Sequence, residues 1–221
     1  MKFEDFHTAV AIPYFTTAFL RQRFPDIGEG YLAVQLTRWC QVGKIVKIRK
    51  GVYAFGKSGM GFPGLANEIV SPSYLSGLWA LGHYGMIPEA VWEFTSACRV
   101  SPRRKLWETP FGRFSYRQVK FFSGYERVEW EGLPVFLALP EKALCDEWYL
   151  AGGEWSLERH REMRYQQIEG LRYELLSEFV SKFRSPRLDR SENCCSGRFW
   201  LPCTRARLFG RWHLLEALAC G

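Results

Sequence analysis

The chain has no run of eighteen or more apolar residues, which excludes a membrane-spanning helix. Its first ten residues, MKFEDFHTAV, hold Glu4 and Asp5 and no apolar stretch. They do not read as a secretory signal, so a cytoplasmic location is expected, with the seven cysteines mostly reduced. GxSxG, HExxH, the phosphate-binding loop and the dinucleotide fingerprint are all missing. Cys145 and Asp146 with His83 or His160 come nearest to a thiol dyad, but Cys145 lies in an amphipathic helical stretch and reads as a buried structural residue. Glu126, Glu129, Glu131, Glu141, Asp146 and Glu147 do not form the strand-borne set that holds magnesium in a nuclease. Cys194, Cys195, Cys203 and His213 are metal-ligand types, yet the cysteines lack the two-residue spacing with which one loop grips zinc. No enzymatic activity, cofactor or metal is expected.

What the chain does have is positive charge in one place. The formal net charge is +7. Residues 1–58 hold nine lysines and arginines against four acids, whereas 59–150 hold nine against ten. Such asymmetry points to nucleic acid for the first quarter. The near-neutral middle reads as a packing or partner region rather than a second nucleic-acid surface.

The charged quarter is organised around Leu36 to Phe55, LTRWCQVGKIVKIRKGVYAF. A helix over about Tyr31–Val42 places Leu32, Leu36, Trp39 and Cys40 on one face and Tyr31, Val34, Thr37, Arg38 and Gln41 on the other. Gly43 suits the left-handed residue that closes a helix. Val46 and Ile48 then alternate with Lys47 and Arg49, a half-buried strand with a cationic outer side. Lys50-Gly51 supplies a tight hairpin turn. Two earlier helices fit Phe3–Val10 and, capped by Thr16 or Thr17, the segment AFLRQRF before Pro25. Three helices and a basic hairpin make a winged helix-turn-helix, with the third helix in a major groove and the hairpin against phosphates. Double-stranded DNA is therefore the expected partner.

Lys57 to Gly64, KSGMGFPG, reads as a linker, so the halves are expected to be separable without exposing a shared core. Beyond it the pattern is α+β. A short helical segment covers Leu65–Val70, and Ser73 caps a helix burying Leu75, Leu78, Trp79 and Leu81. Antiparallel strands follow at Trp92–Cys98, Gly112–Val119, Tyr125–Trp130 and Leu133–Leu139. Helices follow from Pro140, over Leu157–Gln167 and over Leu171–Phe183, the last stopped by Ser185-Pro186. The expected organisation is 1–58 winged helix-turn-helix, 62–188 mixed helix and antiparallel-sheet domain, and 189–221 a tail without sustained period that is dispensable for folding.

Four motifs in order, LTRWCQVGKIVKIRKGVYAF, PSYLSGLWALGHYGMIPE, FGRFSYRQV and ALPEKALCDEWYL, resemble the AbiEi-type antitoxins, the antitoxin halves of type IV toxin-antitoxin pairs in abortive phage infection. The likeness spans roughly residues 15–183. It implies a winged-helix domain that binds inverted repeats in its own promoter. It also implies a second domain that shares in repression and counteracts a nucleotidyltransferase-like toxin. It marks Arg38, Lys44, Lys47, Arg49 and Lys50 as DNA-facing, with Thr37 and Gln41 beside Arg38, and Gly43, Gly51 and Tyr53 as shape-setting. Glu141 and Lys142 of the PEKAL segment would sit on a partner surface or cap a helix. The alternative is a stand-alone winged-helix regulator with no toxin partner.

Overall fold

The computed structural model describes residues 1–56 and 61–198, the side chains of 194–198 excepted. The N-terminal elements are α1 (Phe3–Val10), β1 (Tyr14–Thr16), α2 (Thr17–Arg23), α3 (Glu29–Gln41), β2 (Ile45–Arg49) and β3 (Val52–Phe55). Phe6, Phe15, Leu20, Leu32, Leu36, Trp39 and Ile45 pack into a small core beneath α3. The Thr16 hydroxyl accepts from the Phe19 amide at 3.0 Å and so starts α2. Gly43, at φ 69°, follows α3, and Gly51, at φ 83°, turns the hairpin.

Helical spacing, strand alternation and the glycine turn foretold these elements except β1. That strand pairs antiparallel with β3, so the hairpin belongs to a three-stranded sheet of order β1-β3-β2. Three residues after Pro13 are too few to show a period.

The body carries α4 (Pro63–Ile69), β4 (Ser73–Leu75), α5 (Gly77–His83), β5 (Glu93–Cys98), β6 (Leu106–Thr109), β7 (Gly112–Gln118), β8 (Tyr125–Trp130) and β9 (Leu133–Ala138). Helices α6 (Pro140–Leu150), α7 (Leu157–Glu162), α8 (Tyr173–Phe183) and α9 (Pro186–Arg198) follow. The six-stranded sheet has order β6-β7-β5-β4-β9-β8. It is mixed rather than antiparallel, because β5 pairs parallel with β7 and β4 with β9. Tyr116 reaches α4 on one face, donating to the Ala66 carbonyl at 2.8 Å, and Tyr74 reaches α6 on the other.

Three expectations need correction. Ser73 does not cap a helix; it begins the central strand β4, and α5 starts only at Gly77. Such a short, fully buried strand alternates with nothing, so its apolar residues read equally well as helix. Ser185-Pro186 does stop α8, but no tail begins at residue 189: Pro186 stands at the first turn of α9, where its missing N–H is harmless, and the helix runs to Arg198. Leu188 and Ser191 are both fully buried, so the body runs past residue 188. Finally, the halves share apolar packing. Tyr14, Val52 and Ala54 belong to the large core with Leu65, Tyr74 and Phe114, and Tyr14 lies against Gly64. Strand alternation explains it: Tyr53 and Phe55 face the small core, so Val52 and Ala54 face the body.

Candidate nucleic-acid interface

Helix α3 buries Leu32, Leu36 and Trp39, which leaves an outward stripe of Gly30, Ala33, Val34, Thr37, Arg38 and Gln41 at three- and four-residue spacing. Thr37, Arg38 and Gln41 are all exposed, as expected. Between this helix, α2 and the hairpin lies a cleft of about 380 Å³, walled by Ala33, Leu36, Thr37, Arg21, Lys47 and Lys50. Lys47 stands opposite Tyr53 and so faces the α3 side, while Lys50 is at the tip. Among the described residues Arg38, Lys47 and Lys50 make no ion pair, so their charge is uncompensated.

Two expected positions lie elsewhere. Lys44 folds back over the Phe3 ring, 4.5 Å from its centroid, and pairs with Glu4 at 3.3 Å on the far side of α1. Both partners are exposed, so the pair is weakly held. Arg49 does not share Lys47's side. The ladder slips between Lys47 and Arg49, leaving Arg49 opposite Val52 on the body-facing side of the hairpin. A bulge of this kind reverses the alternation on which the sequence reading rested.

The slip carries Arg49 into a second cleft, of about 410 Å³, shared with Ser71, Arg103, Arg104 and Trp107. Arg104 stacks over Trp107 at 4.5 Å. The loop between β5 and β6, RVSPRRK, holds Arg99, Arg103, Arg104 and Lys105, all exposed, and no acid. The half-buried Glu68 lies within electrostatic range of Arg49; burial raises its carboxyl pKa and Arg49 only partly offsets this. The middle of the chain is therefore not uniformly neutral. Its β5–β6 loop holds four cations, of which Arg103 and Arg104 share the cleft with Arg49, a patch that a block sum of charge hides.

No family model matches the chain, and no curated protein matches it.

The PEKAL charges do not form a partner surface, since both are buried; Glu141 stands in the first turn of α6, where a carboxylate suits the helix end. Glu141 is buried and takes the Arg172 amide at 2.9 Å and its guanidinium at 3.0 and 3.2 Å. Burial alone would raise the Glu141 carboxyl pKa, but these bonds hold it below its ordinary value. Lys142 is wholly enclosed. Its ammonium pairs with Asp146 one turn on and donates to the Tyr74 hydroxyl at 2.8 Å. Asp146 accepts further from Tyr74 at 2.9 Å and Ser76 at 2.7 Å. Ser76 is thereby drawn away from capping α5. The Glu147 carboxylate instead lies beside Gly77 and takes the Leu78 amide. Burial pushes its pKa up.

Cys145 is fully buried, and burial lifts its thiol well above the ordinary range, opposite to what a nucleophile needs. Cys203 and His213 lie outside the described residues, as do the side chains of Cys194 and Cys195. Among the described residues no three His, Cys, Asp or Glu gather as a metal site, and no helix is long and apolar enough to cross a membrane.

Proposed function

We propose that the chain is a winged helix-turn-helix protein that binds double-stranded DNA and represses its own promoter. The observation that carries this reading is the cleft in which the exposed face of α3 confronts the Lys47–Lys50 edge of the hairpin, whose two lysines make no ion pair among the described residues, while Arg21 on the α2 side is paired with Glu29. The order helix, strand, helix, helix, strand, strand, with its β1-β3-β2 sheet, supports it. In this arrangement Thr37, Arg38 and Gln41 meet base edges, Lys47 and Lys50 meet phosphates, and Arg49 with Arg103 and Arg104 continues the cationic surface past the hairpin tip. Selection of duplexes from a random library by the full chain, followed by a reporter fused to its own promoter, tests the reading. An enriched sequence that also lies in that promoter supports it; recovery of no sequence, or repression of nothing, removes it.

We further propose that the protein acts as the antitoxin of a type IV pair, restraining a nucleotidyltransferase-like toxin, on the resemblance of its four ordered motifs. One observation favours the stand-alone regulator instead. The most distinctive of those motifs, PEKAL, is buried in ion pairs within the body, so it records packing rather than a surface a toxin would touch. Trp92, 85% exposed, is a better contact candidate. Co-expression with a nucleotidyltransferase-like gene from the same locus separates the two. Rescue of growth that survives loss of DNA binding supports the antitoxin; failure of the intact chain to rescue leaves the regulator.

A further inference from the structure

We infer that the outward face of α3 reads the 5-methyl groups of thymines, so that Ala33, Val34 and Thr37 set sequence preference alongside Arg38 and Gln41. The inference rests on the DNA-binding reading and adds to it the base chemistry that is recognised. Three features of the helix carry it. Val34 is 49% exposed and lies in the same outward stripe as Ala33 and Thr37, so three methyl-bearing side chains share the face of α3 turned to solvent. The Thr37 hydroxyl is occupied, because it donates to the Ala33 carbonyl one turn back at 2.8 Å. A threonine bonded in this way has its hydroxyl hydrogen spent on the backbone, and its methyl becomes the feature that distinguishes it from serine. The surroundings favour nucleic acid over an apolar protein partner as the occupant. The stripe is flanked by Arg38, Lys47 and Lys50, uncompensated by any acid that pairs with them among the described residues.

In the major groove an apolar contact distinguishes thymine from the other bases by its methyl group, whereas bidentate donors select guanine and amides select adenine. A helix that enters the groove by its N-terminal end would place Ala33, Val34 and Thr37 deepest and Arg38 and Gln41 towards its exit. The expected site therefore combines thymine-rich positions with adjoining purines read by Arg38 and Gln41.

The test uses the full chain and a duplex that it enriches from a random library. Binding is measured at one salt concentration to that duplex and to the same duplex with uracil replacing thymine, which removes only the methyl groups. Affinity should fall about fourfold for each methyl contacted. The fall should shrink in Val34→Ala and in Thr37→Ser. It should persist in Thr37→Val, which keeps a methyl and discards the hydroxyl. Both positions are exposed, and unchanged melting temperatures would show that the three variants fold. Sequence-selective binding indifferent to uracil would overturn the inference, as would a uracil penalty that Val34→Ala and Thr37→Ser leave unaltered. Absence of binding to any duplex would instead remove the DNA-binding reading itself.

Discussion

At the scale of single residues, the deepest commitment of the fold is the charge enclosed around Asp146. Lys142, Tyr74 and Ser76 all converge on its carboxylate, and none of the four is more than 2% exposed. Removing one partner strands the other in a medium that cannot solvate it. Lys142→Met should therefore lower stability by about 3–5 kcal/mol, read as a shift in denaturant midpoint. Adding Asp146→Leu to that variant should return part of the loss, because the stranded charge is gone; a double variant worse than the single one would show that the network acts mainly by orienting Tyr74 and Ser76. A second prediction concerns acid. His160 packs between Trp148 and Trp155, and burial, with Arg159 nearby, depresses its pKa to about 4 from 6.5. The folded chain refuses a proton that the unfolded chain accepts, so stability is complete above pH 6.5 and declines as pH falls towards 4. Glu141, also depressed, removes further stability below its ordinary 4.5, while the raised Glu147 acts in the opposite sense. Melting temperature against pH should thus slope downwards between 6.5 and 4, and His160→Gln should flatten that slope. An unchanged slope would show that other groups govern the acid limb. None of this was legible as function, although Lys142 and Asp146 did carry a signal: they sit one turn apart amid Ala143, Leu144, Cys145 and Trp148, a helix too apolar around them to leave them outside.

At the scale of elements, long periodic segments were readable and short or irregular ones were not. The faces of α3 and the glycine turns at Gly43 and Gly51 follow directly from residue spacing and positive φ. Strands β1 and β4 are three residues each, and their pairing depends on neighbours far along the chain. The slip in β2 was likewise invisible, since Lys47, Ile48 and Arg49 alternate perfectly in sequence. It separates two cations that sequence treated as equivalent. Lys47→Ala should accordingly weaken binding through the cleft beside α3. Arg49→Ala should have an effect that depends on Arg103, so that the Arg49→Ala, Arg103→Ala pair is less than additive in a double-mutant cycle. Strict additivity would place the two guanidiniums on separate ligands. Helix α9 gives a further check. Truncation after Asp189 cuts through the helix that buries Leu188 and Ser191 and should lower the melting temperature by several degrees relative to the full chain. Equal melting temperatures would mean that α9 contributes nothing to the body.

At the scale of the whole molecule, the fold joins what composition separates. A linker-like stretch suggested two independent halves, and a block sum of charge suggested one basic half and one neutral half. Instead, the three-stranded sheet lends Tyr14, Val52 and Ala54 to the larger core, and the β5–β6 loop brings Arg103 and Arg104 to the cleft that Arg49 lines. Residues 1–56 alone would expose that apolar face, so the isolated fragment should melt less cooperatively than the same region in the full chain. The DNA-binding reading concerns the molecule intact, and it is most directly tested there. Affinity of the full chain for its selected duplex, measured across a series of salt concentrations, should fall steeply on a log–log plot, with a slope of about −0.9 for each phosphate neutralised. Replacing Lys47 and Lys50 together by alanine should make that slope shallower by about two. Binding that is indifferent to salt, or a slope that the double replacement leaves unchanged, would contradict the account.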